Sequence, residues 1–177
     1  MRKRVMFLAG VLALALALPT FAQDAFVEVS SGSGDQEDVM FSRLCKIKED
    51  GTLDWGNKVK IGKGKSHSVY LDGKIAVLVH RGAAKETEET LFYHVGTADL
   101  TTMAVNWGPA VQYGKGSQPS VSFKGTRLIE AHRSANNDRL WIMTGTIDVA
   151  RHQISFGEAV KYDEAGRSPA ISLGSGN

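Results

Sequence analysis

The residues of this sequence that can do chemistry concentrate at one recurring position. Glu130, His132 and Arg133 lie within four consecutive residues, and the pair His80-Arg81 stands at the matching place about 50 residues earlier. In a β-strand, residues two apart share one face, so Glu130 and His132 would lie side by side. A carboxylate, an imidazole and a guanidinium together can hold a sugar hydroxyl or an anionic substituent by directional hydrogen bonds. The alternative is a structural bridge between neighbouring units, which the recurrence of the pair at the repeat interval favours.

Aromatic residues recur with the same interval. Trp55, Trp107 and Phe156 occupy matching positions, and Tyr113 and Tyr162 follow two of them in the same segment. Large aromatic rings with a polar atom can stack on a sugar face and also form hydrogen bonds. Their repetition at the same interval favours packing between neighbouring units, which is the alternative interpretation.

No catalytic motif is recognisable. The sequence has no Gly-x-Ser-x-Gly elbow, no His-Glu-x-x-His, no phosphate-binding loop and no calcium loop. Its five histidines lack the helical spacing of a metal site, and Cys45 is the only cysteine, so no intramolecular disulfide can form. We predict no catalytic residues, no metal and no cofactor. Whether the protein is an enzyme stays open, and these features favour a non-catalytic role.

The first 22 residues have the organisation of a secretory signal peptide. The basic Arg2-Lys3-Arg4 precedes an apolar stretch from Val5 to Leu18, and Thr20-Phe21-Ala22 supplies small residues at the −3 and −1 positions. We predict cleavage after Ala22, a secreted or periplasmic protein, and no membrane insertion after cleavage. Without the three basic residues of the leader, the 21 Lys+Arg fall to 18 against 19 Asp+Glu, a balance that gives no basis for nucleic-acid binding.

The rest of the chain is built from an internal repeat. The segment from Asp54 to Ile61 recurs from Asn106 to Tyr113 and again from Ser155 to Tyr162. Further short segments of alternating apolar and polar residues surround each copy, which predicts four short antiparallel strands in each unit of about 50 residues. We place the units at residues 25–74, 75–126 and 127–177 of a single domain spanning 25–177. In the third strand we match Trp141 with Met40 and Phe92 and interpret it as a core residue.

An all-β unit of this size is expected for one β-propeller blade and also for one third of a β-trefoil. The order read from the sequence puts a proline-led strand innermost, the Glu/His/Arg strand second, the aromatic strand third and the Trp-Gly strand outermost. This layout resembles the blades of sialidase-type and fucose-lectin-type propellers, in which a tryptophan-bearing outer strand precedes the proline of the next inner strand. The resemblance covers residues 25–177 and implies a propeller, with the trefoil as the alternative.

The strands at which the domain begins and ends bear on whether its units could close into a ring. The domain begins at the second strand of a unit and stops after a first strand, Pro169–Leu173, which in a propeller would complete the first blade and pair its open edge. Propellers have from about four blades upward, so three units cannot close a ring alone. Three alternatives follow: a homodimer that completes a six-bladed ring, a fragment of a longer protein, or a monomeric trefoil.

These observations predict a secreted binding protein that recognises glycans or surface polymers through repeated sites between blades. Several weak sites on one rigid scaffold would add avidity. The alternatives are a protein-interaction scaffold or a fragment of an extracytoplasmic, sialidase-like glycoside hydrolase, for which Arg81, Arg133 and Arg167 could contact a substrate carboxylate. The candidate ligand-binding residues are Glu130, His132, Arg133, His80, Arg81, Trp107 and Tyr113.

Overall fold

The computed structural model describes residues 24–174 and confirms an all-β chain. Strands within this range form three antiparallel sheets that follow one another along the chain. A short 3-10 turn, Gly34–Gln36, is the one helical segment in the described range. The predicted signal peptide, residues 1–22, lies outside it. Among the described residues, no helix has the length and apolar character needed to cross a membrane.

The second and third sheets share one strand order, and the first sheet has the same order without its first strand. The first contains β1 Ala25–Ser31, β2 Val39–Ile47, β3 Leu53–Trp55 and β4 Val59–Lys63. The second contains β5 Lys65–Asp72, β6 Ile75–Arg81, β7 Thr90–Asp99, β8 Ala104–Trp107 and β9 Val111–Lys115. The third contains β10 Ser117–Lys124, β11 Arg127–Arg133, β12 Leu140–Asp148, β13 Gln153–Phe156 and β14 Val160–Asp163. The order β5-β6-β7-β8 recurs as β10-β11-β12-β13, whereas the first sheet has no counterpart of β5 and β10, so β1 is an edge strand.

The second and third sheets begin one strand earlier than the second and third sequence units, whereas the first sheet begins with its unit at residue 25. The sheets span residues 25–63, 65–115 and 117–163, because the last strand of each of the first two sequence units pairs with the strand that follows it. The hairpin that joins these two strands turns at Gly73 in the second sheet and Gly125 in the third, with φ angles of 59° and 58°. Glycine adopts this left-handed conformation without steric cost, which explains its place in both turns.

A glycine divides the outermost strand of every sheet into two segments. Gly56, Gly108 and Gly157 stand at this break, and the N–H of each donates to a carbonyl of the third strand, with Val95 accepting from Gly108 at 2.9 Å. A Cβ atom on Gly108 would lie 2.5 Å from the Cβ of His152 in the next sheet. The glycine therefore allows two sheets to approach closely at the break.

The strand ladders correct one alignment made from the sequence. Met40 occupies the position of Leu91, and Phe41 occupies the position of Phe92 and Trp141. Matching Met40 with Trp141 was wrong by one residue, because consecutive apolar residues in β2 hide the two-residue alternation that fixes the register. Trp141 itself is half-buried.

Apolar cores lie between consecutive sheets. The core between the first and second sheets contains Val27, Leu44, Ala76, Ala98 and Val105. The core between the second and third sheets contains Val77, Val79, Tyr93, Val95, Val121, Phe123, Leu128, Ile147 and Ile154. Full burial of such a side chain contributes about 1.5–3 kcal/mol, so this face-to-face packing is the main stabilising term between sheets.

Residues 169–173 repeat the path of the first strands. The N–H of Ile171 donates to Ser120 Oγ at 3.3 Å, as the N–H of Val121 donates to Ser68 Oγ at 3.3 Å. The segment therefore lies against β10 as β10 lies against β5. It does not pair with β1, so it does not complete the first sheet of its own chain.

Candidate functional site

Glu130, His132 and Tyr113 form a buried bridge between the second and third sheets. Glu130 and His132 share one face of β11, as the spacing predicts, and both are buried. The Tyr113 hydroxyl, from β9, donates to Glu130 Oε1 at 2.8 Å. The Nδ1 atom of His132 lies 2.9 Å from Glu130 Oε2 and donates to it. The carboxylate thus accepts a hydrogen bond from a strand on each side of the boundary.

The chemistry of these three residues suits a structural link between the two sheets better than catalysis. Burial, followed by the adjacent Glu130, raises the pKa of Tyr113 well above its ordinary value, so the phenol stays protonated. A protonated, buried phenol is a poor nucleophile, and Glu130 has no exposed surface through which a substrate could reach it. The ligand-binding role of these three residues stays a prediction.

His80 takes the position of His132 in the second sheet but has different surroundings. Leu78 takes the position of Glu130, so β6 itself places no carboxylate beside the ring. The Nδ1–H of His80 donates to the carbonyl of Arg81 at 3.0 Å, and the ring stacks on Phe92 and His94 at centroid distances of 5.5 and 5.4 Å. Burial lowers the pKa of His80 to about 4 and lowers that of His94 in the same direction. Both rings are therefore neutral at neutral pH.

Trp107 belongs to this second cluster rather than to the bridge. Its Nε1–H donates to Ser42 Oγ of the first sheet at 2.9 Å, and its ring meets His94 edge to face. In the third sheet Phe156 stacks on Tyr113 at 4.8 Å. Trp107 and Phe156 therefore pack between sheets, whereas Trp55 is exposed.

Arg81 and Arg133 end the second strands of their sheets and are half-buried. The Arg133 guanidinium forms an ion pair with Asp138, on the loop that leads to β12. Within residues 24–174 Arg81 has no acidic partner, and its Nε is buried with no hydrogen-bond partner. The Nε of Arg133 is likewise buried without a hydrogen-bond partner among the described residues.

Three acids at this end of the sheets were not among the site residues predicted from the sequence. Asp38, Glu89 and Asp138 each stand one or two residues before a third strand, and each carbonyl accepts the N–H of a glycine that follows the outermost strand. Lys65 Nζ lies 3.0 Å from Asp38 Oδ1. An acid at the same place in all three units was a signal that a complete alignment of the repeats would have found.

The described residues hold no group of three His, Cys, Asp or Glu side chains suited to a metal ion. Burial, with Asp54 nearby, raises the pKa of the Cys45 thiol, so this cysteine is protonated as well as buried. The predicted residues thus fall into two inter-sheet clusters and one pair of strand-end arginines. Comparison with models of known protein families and with curated proteins finds no match for this chain.

Proposed function

We propose that this protein is a secreted, non-catalytic binding protein whose sheets are arranged as β-propeller blades. It recognises glycans or other surface polymers at the ends of the sheets where Arg81 and Arg133 lie. The predicted leader supports a location in which such polymers are accessible, and the recurring strand order supports the propeller arrangement.

The observation that carries this proposal is the state of Arg81. Arg81 is half-buried at the end of a strand and, among the described residues, forms no ion pair to match the one between Arg133 and Asp138, although Glu89 stands at the position of Asp138. Leaving a buried donor unsatisfied costs free energy, which a ligand oxygen can recover. The planar fork of a guanidinium donates well to carboxylate or sulfate groups and to neighbouring hydroxyls. Sugars with acidic substituents fit this chemistry.

The buried bridge has a supporting role in this proposal. Glu130 and His132 fix β11 against the second sheet and so position Arg133 at its end. Because Arg81 and Arg133 occupy matching positions in adjacent sheets, one polymer chain could contact both. Two linked contacts bind more tightly than either alone, since the second forms at high effective concentration.

Glycan-array binding of the wild-type protein and the Arg81→Ala variant tests the proposal. We expect wild-type binding to acidic glycans, and a loss of about 10- to 100-fold in affinity for the variant, since a hydrogen bond to a charged group contributes about 1.5–3 kcal/mol. Arg151→Ala is the matched control, because this exposed arginine lies in the turn after β12, at the opposite end of the sheet.

Three results would count against the proposal. Wild-type protein that binds no glycan, while capturing a protein partner, would favour the interaction scaffold. Release of free sugar would favour the hydrolase fragment. An Arg81→Ala variant that binds as tightly as wild type would remove the arginine from the site. The melting temperature should be unchanged in both variants, which separates lost binding from lost folding.

A further inference from the structure

Large apolar side chains are exposed on the two terminal sheets. Ile47, Leu53 and Trp55 lie on the first sheet, and Val160 and Tyr162 lie on the third. We call the first group the first-sheet face and the second group the third-sheet face. A contiguous exposed apolar surface indicates an interaction site.

The same positions are buried where two sheets of this chain meet. Leu53 pairs with Ile47 in the first sheet as Val105 pairs with Ala98 in the second. Leu53 is 45% exposed, whereas Val105 is 5% exposed in the core against the first sheet. The first-sheet face therefore has the shape and chemistry of an inter-sheet surface that lacks its neighbour.

The third-sheet face offers the complementary surface. It contains a groove of about 600 Å³ with Ile129 in its lining. Ile129 takes the position of Val77, which shares a core with Ile147 and Ile154 of the following sheet. The first-sheet face carries the counterparts of those two isoleucines, so it has the side chains that would fill the groove.

Each internal boundary has a chemically matched pair at one position. Tyr113 donates to Glu130 between the second and third sheets. Ile61 and Leu78, both apolar, hold the matching positions between the first and second sheets. A hydrogen-bonded polar pair thus occupies this position at one boundary, and two apolar residues hold the matching positions at the other.

The remaining pair is divided between the two ends of the chain. Tyr162 on the third-sheet face takes the position of Tyr113, and Glu28 on β1 takes the position of Glu130. Tyr162 is exposed and Glu28 is half-buried. A contact between the third sheet of one copy and the first sheet of another would reproduce the Tyr113–Glu130 hydrogen bond.

The backbone at the two ends of the chain is complementary as well, since one end has an open strand edge and the other has a segment that could pair with it. β1 pairs with β2 on one side only, so its other edge has no partner strand among the described residues, although the Val29 carbonyl on β1 accepts from His67 Nε2 at 3.0 Å. Residues 169–173 already lie where the first strand of a further sheet would lie, and Ser168 has a φ of 49°, close to the 50° of Ser66 and 51° of Gln118, which are the second residues of β5 and β10. This segment of one copy can therefore complete the first sheet of another.

We propose that a second copy of this chain docks head to tail on both faces. Each copy contributes residues 169–173 to pair with β1 of the other, and Tyr162 to bond with Glu28 of the other. Two copies give six sheets, within the range of four to eight blades in closed propellers. Contacts between different surfaces close when the rotation completes a ring. This inference stands on sheet packing and is independent of the glycan proposal.

Light scattering of the purified protein, expressed from the whole chain, tests this assembly with two variants. Leu53→Glu places a charge on the first-sheet face, and Val160→Lys places one on the third-sheet face. Both side chains are exposed in a single copy, so both variants should fold. We expect a wild-type mass of two chains and a mass of one chain for each variant, with affinity weakened roughly 100-fold or more by burial of a charge.

Mixing the two variants is the decisive step. A mixed dimer contains one intact contact and one contact with opposite charges, so mixing should restore a mass of two chains. Ala84→Glu, on the exposed loop between β6 and β7, is the control and should remain dimeric. A monomeric wild type, a wild type of more than two chains, or a dimer broken by only one of the two variants would overturn the head-to-tail arrangement.

A double-mutant cycle tests the residue pairing. Tyr162→Phe and Glu28→Ala should each weaken the dimer by about 5- to 30-fold, and together by little more than one alone, because the first removes the donor and the second the acceptor of the same hydrogen bond. Fully independent effects of the two variants would overturn this pairing, with circular dichroism used to verify that both fold.

Discussion

Glu130 is a fully buried carboxylate, and donors from two sheets compensate for its lost hydration. Tyr113 donates from the second sheet and His132 from the third. Removing one donor leaves an oxygen buried without a partner, which usually costs more than the hydrogen bond contributed. At this scale a few polar atoms determine how firmly two sheets are joined.

Replacing Tyr113 with phenylalanine should therefore destabilise the protein by about 1–3 kcal/mol, since Glu130 Oε1 would lose its donor while the ring packing is kept. Urea denaturation measures the change. Tyr70→Phe is the matched control, because Tyr70 packs through its ring on Phe123, and we expect a change below about 0.5 kcal/mol. Equal effects of the two substitutions would contradict the role of the bridge.

Acid should destabilise the protein through His80. Its pKa is about 4 in the folded protein against an ordinary value of 6.5, because the ring is buried. Below pH 6.5 the unfolded chain binds a proton that the folded protein excludes, so stability is complete above pH 6.5 and falls towards pH 4. The full loss corresponds to about 3 kcal/mol, and about 2 kcal/mol by pH 5.

Urea denaturation at pH 7 and pH 5 measures this dependence. His80→Phe, which keeps a ring next to Phe92, should show a clearly smaller loss between the two pH values, with the remainder due in part to His94. A wild-type protein of equal stability at both pH values would contradict the prediction.

At the scale of elements, the break in each outermost strand allows neighbouring sheets to approach. Gly108 lies against His152, and Gly56 lies against Met103, which has a φ of 53° close to the 54° of His152. The same contact thus joins the first sheet to the second and the second to the third. Because this contact recurs, we infer that glycine is needed at the break to let the next sheet approach, rather than for the conformation of its own strand.

Gly108→Ala should consequently destabilise the protein by about 1–3 kcal/mol, because the new Cβ would lie 2.5 Å from the Cβ of His152. Gly62→Ala is the matched control in an outermost strand, since no heavy atom would lie within 4 Å of its new Cβ. Thermal unfolding compares the two. A Gly108→Ala variant as stable as Gly62→Ala would show that the sheets can separate at this point without cost.

At the scale of the molecule, stability depends on how many sheet faces are covered. The two cores between sheets bury apolar side chains from both sides, while the terminal faces leave Leu53 and Val160 exposed. A second copy would cover them, so folding and association would be coupled.

The melting temperature of the wild-type protein should therefore rise with protein concentration across the micromolar range. A second copy binds the folded chain and not the unfolded one, so a higher protein concentration favours the folded state by mass action. Scanning calorimetry at several concentrations measures this, and Leu53→Glu should melt at a temperature independent of concentration. A concentration-independent melting temperature for the wild type would contradict coupled folding and association.

Much of the architecture was readable from the sequence, because a repeat imposes the same local pattern three times. Strand order and turn glycines followed from the two-residue alternation and from Gly73 and Gly125. The register of β2 did not, since Met40 and Phe41 are both apolar and alternation cannot distinguish their faces. Asp138, the partner of Arg133, was missed because it lies in a loop where no periodicity applies.

The sequence by itself determined that this chain is all-β, that its units repeat, and that a glutamate and a histidine share a strand face. Only the tertiary structure decided what that face meets. Tyr113 and Glu130 are 17 residues apart and belong to different sheets, so their hydrogen bond depends on how the sheets stack. Local pattern fixes which side of a strand a residue occupies, but packing between sheets fixes whether that side faces solvent, another sheet or a second chain.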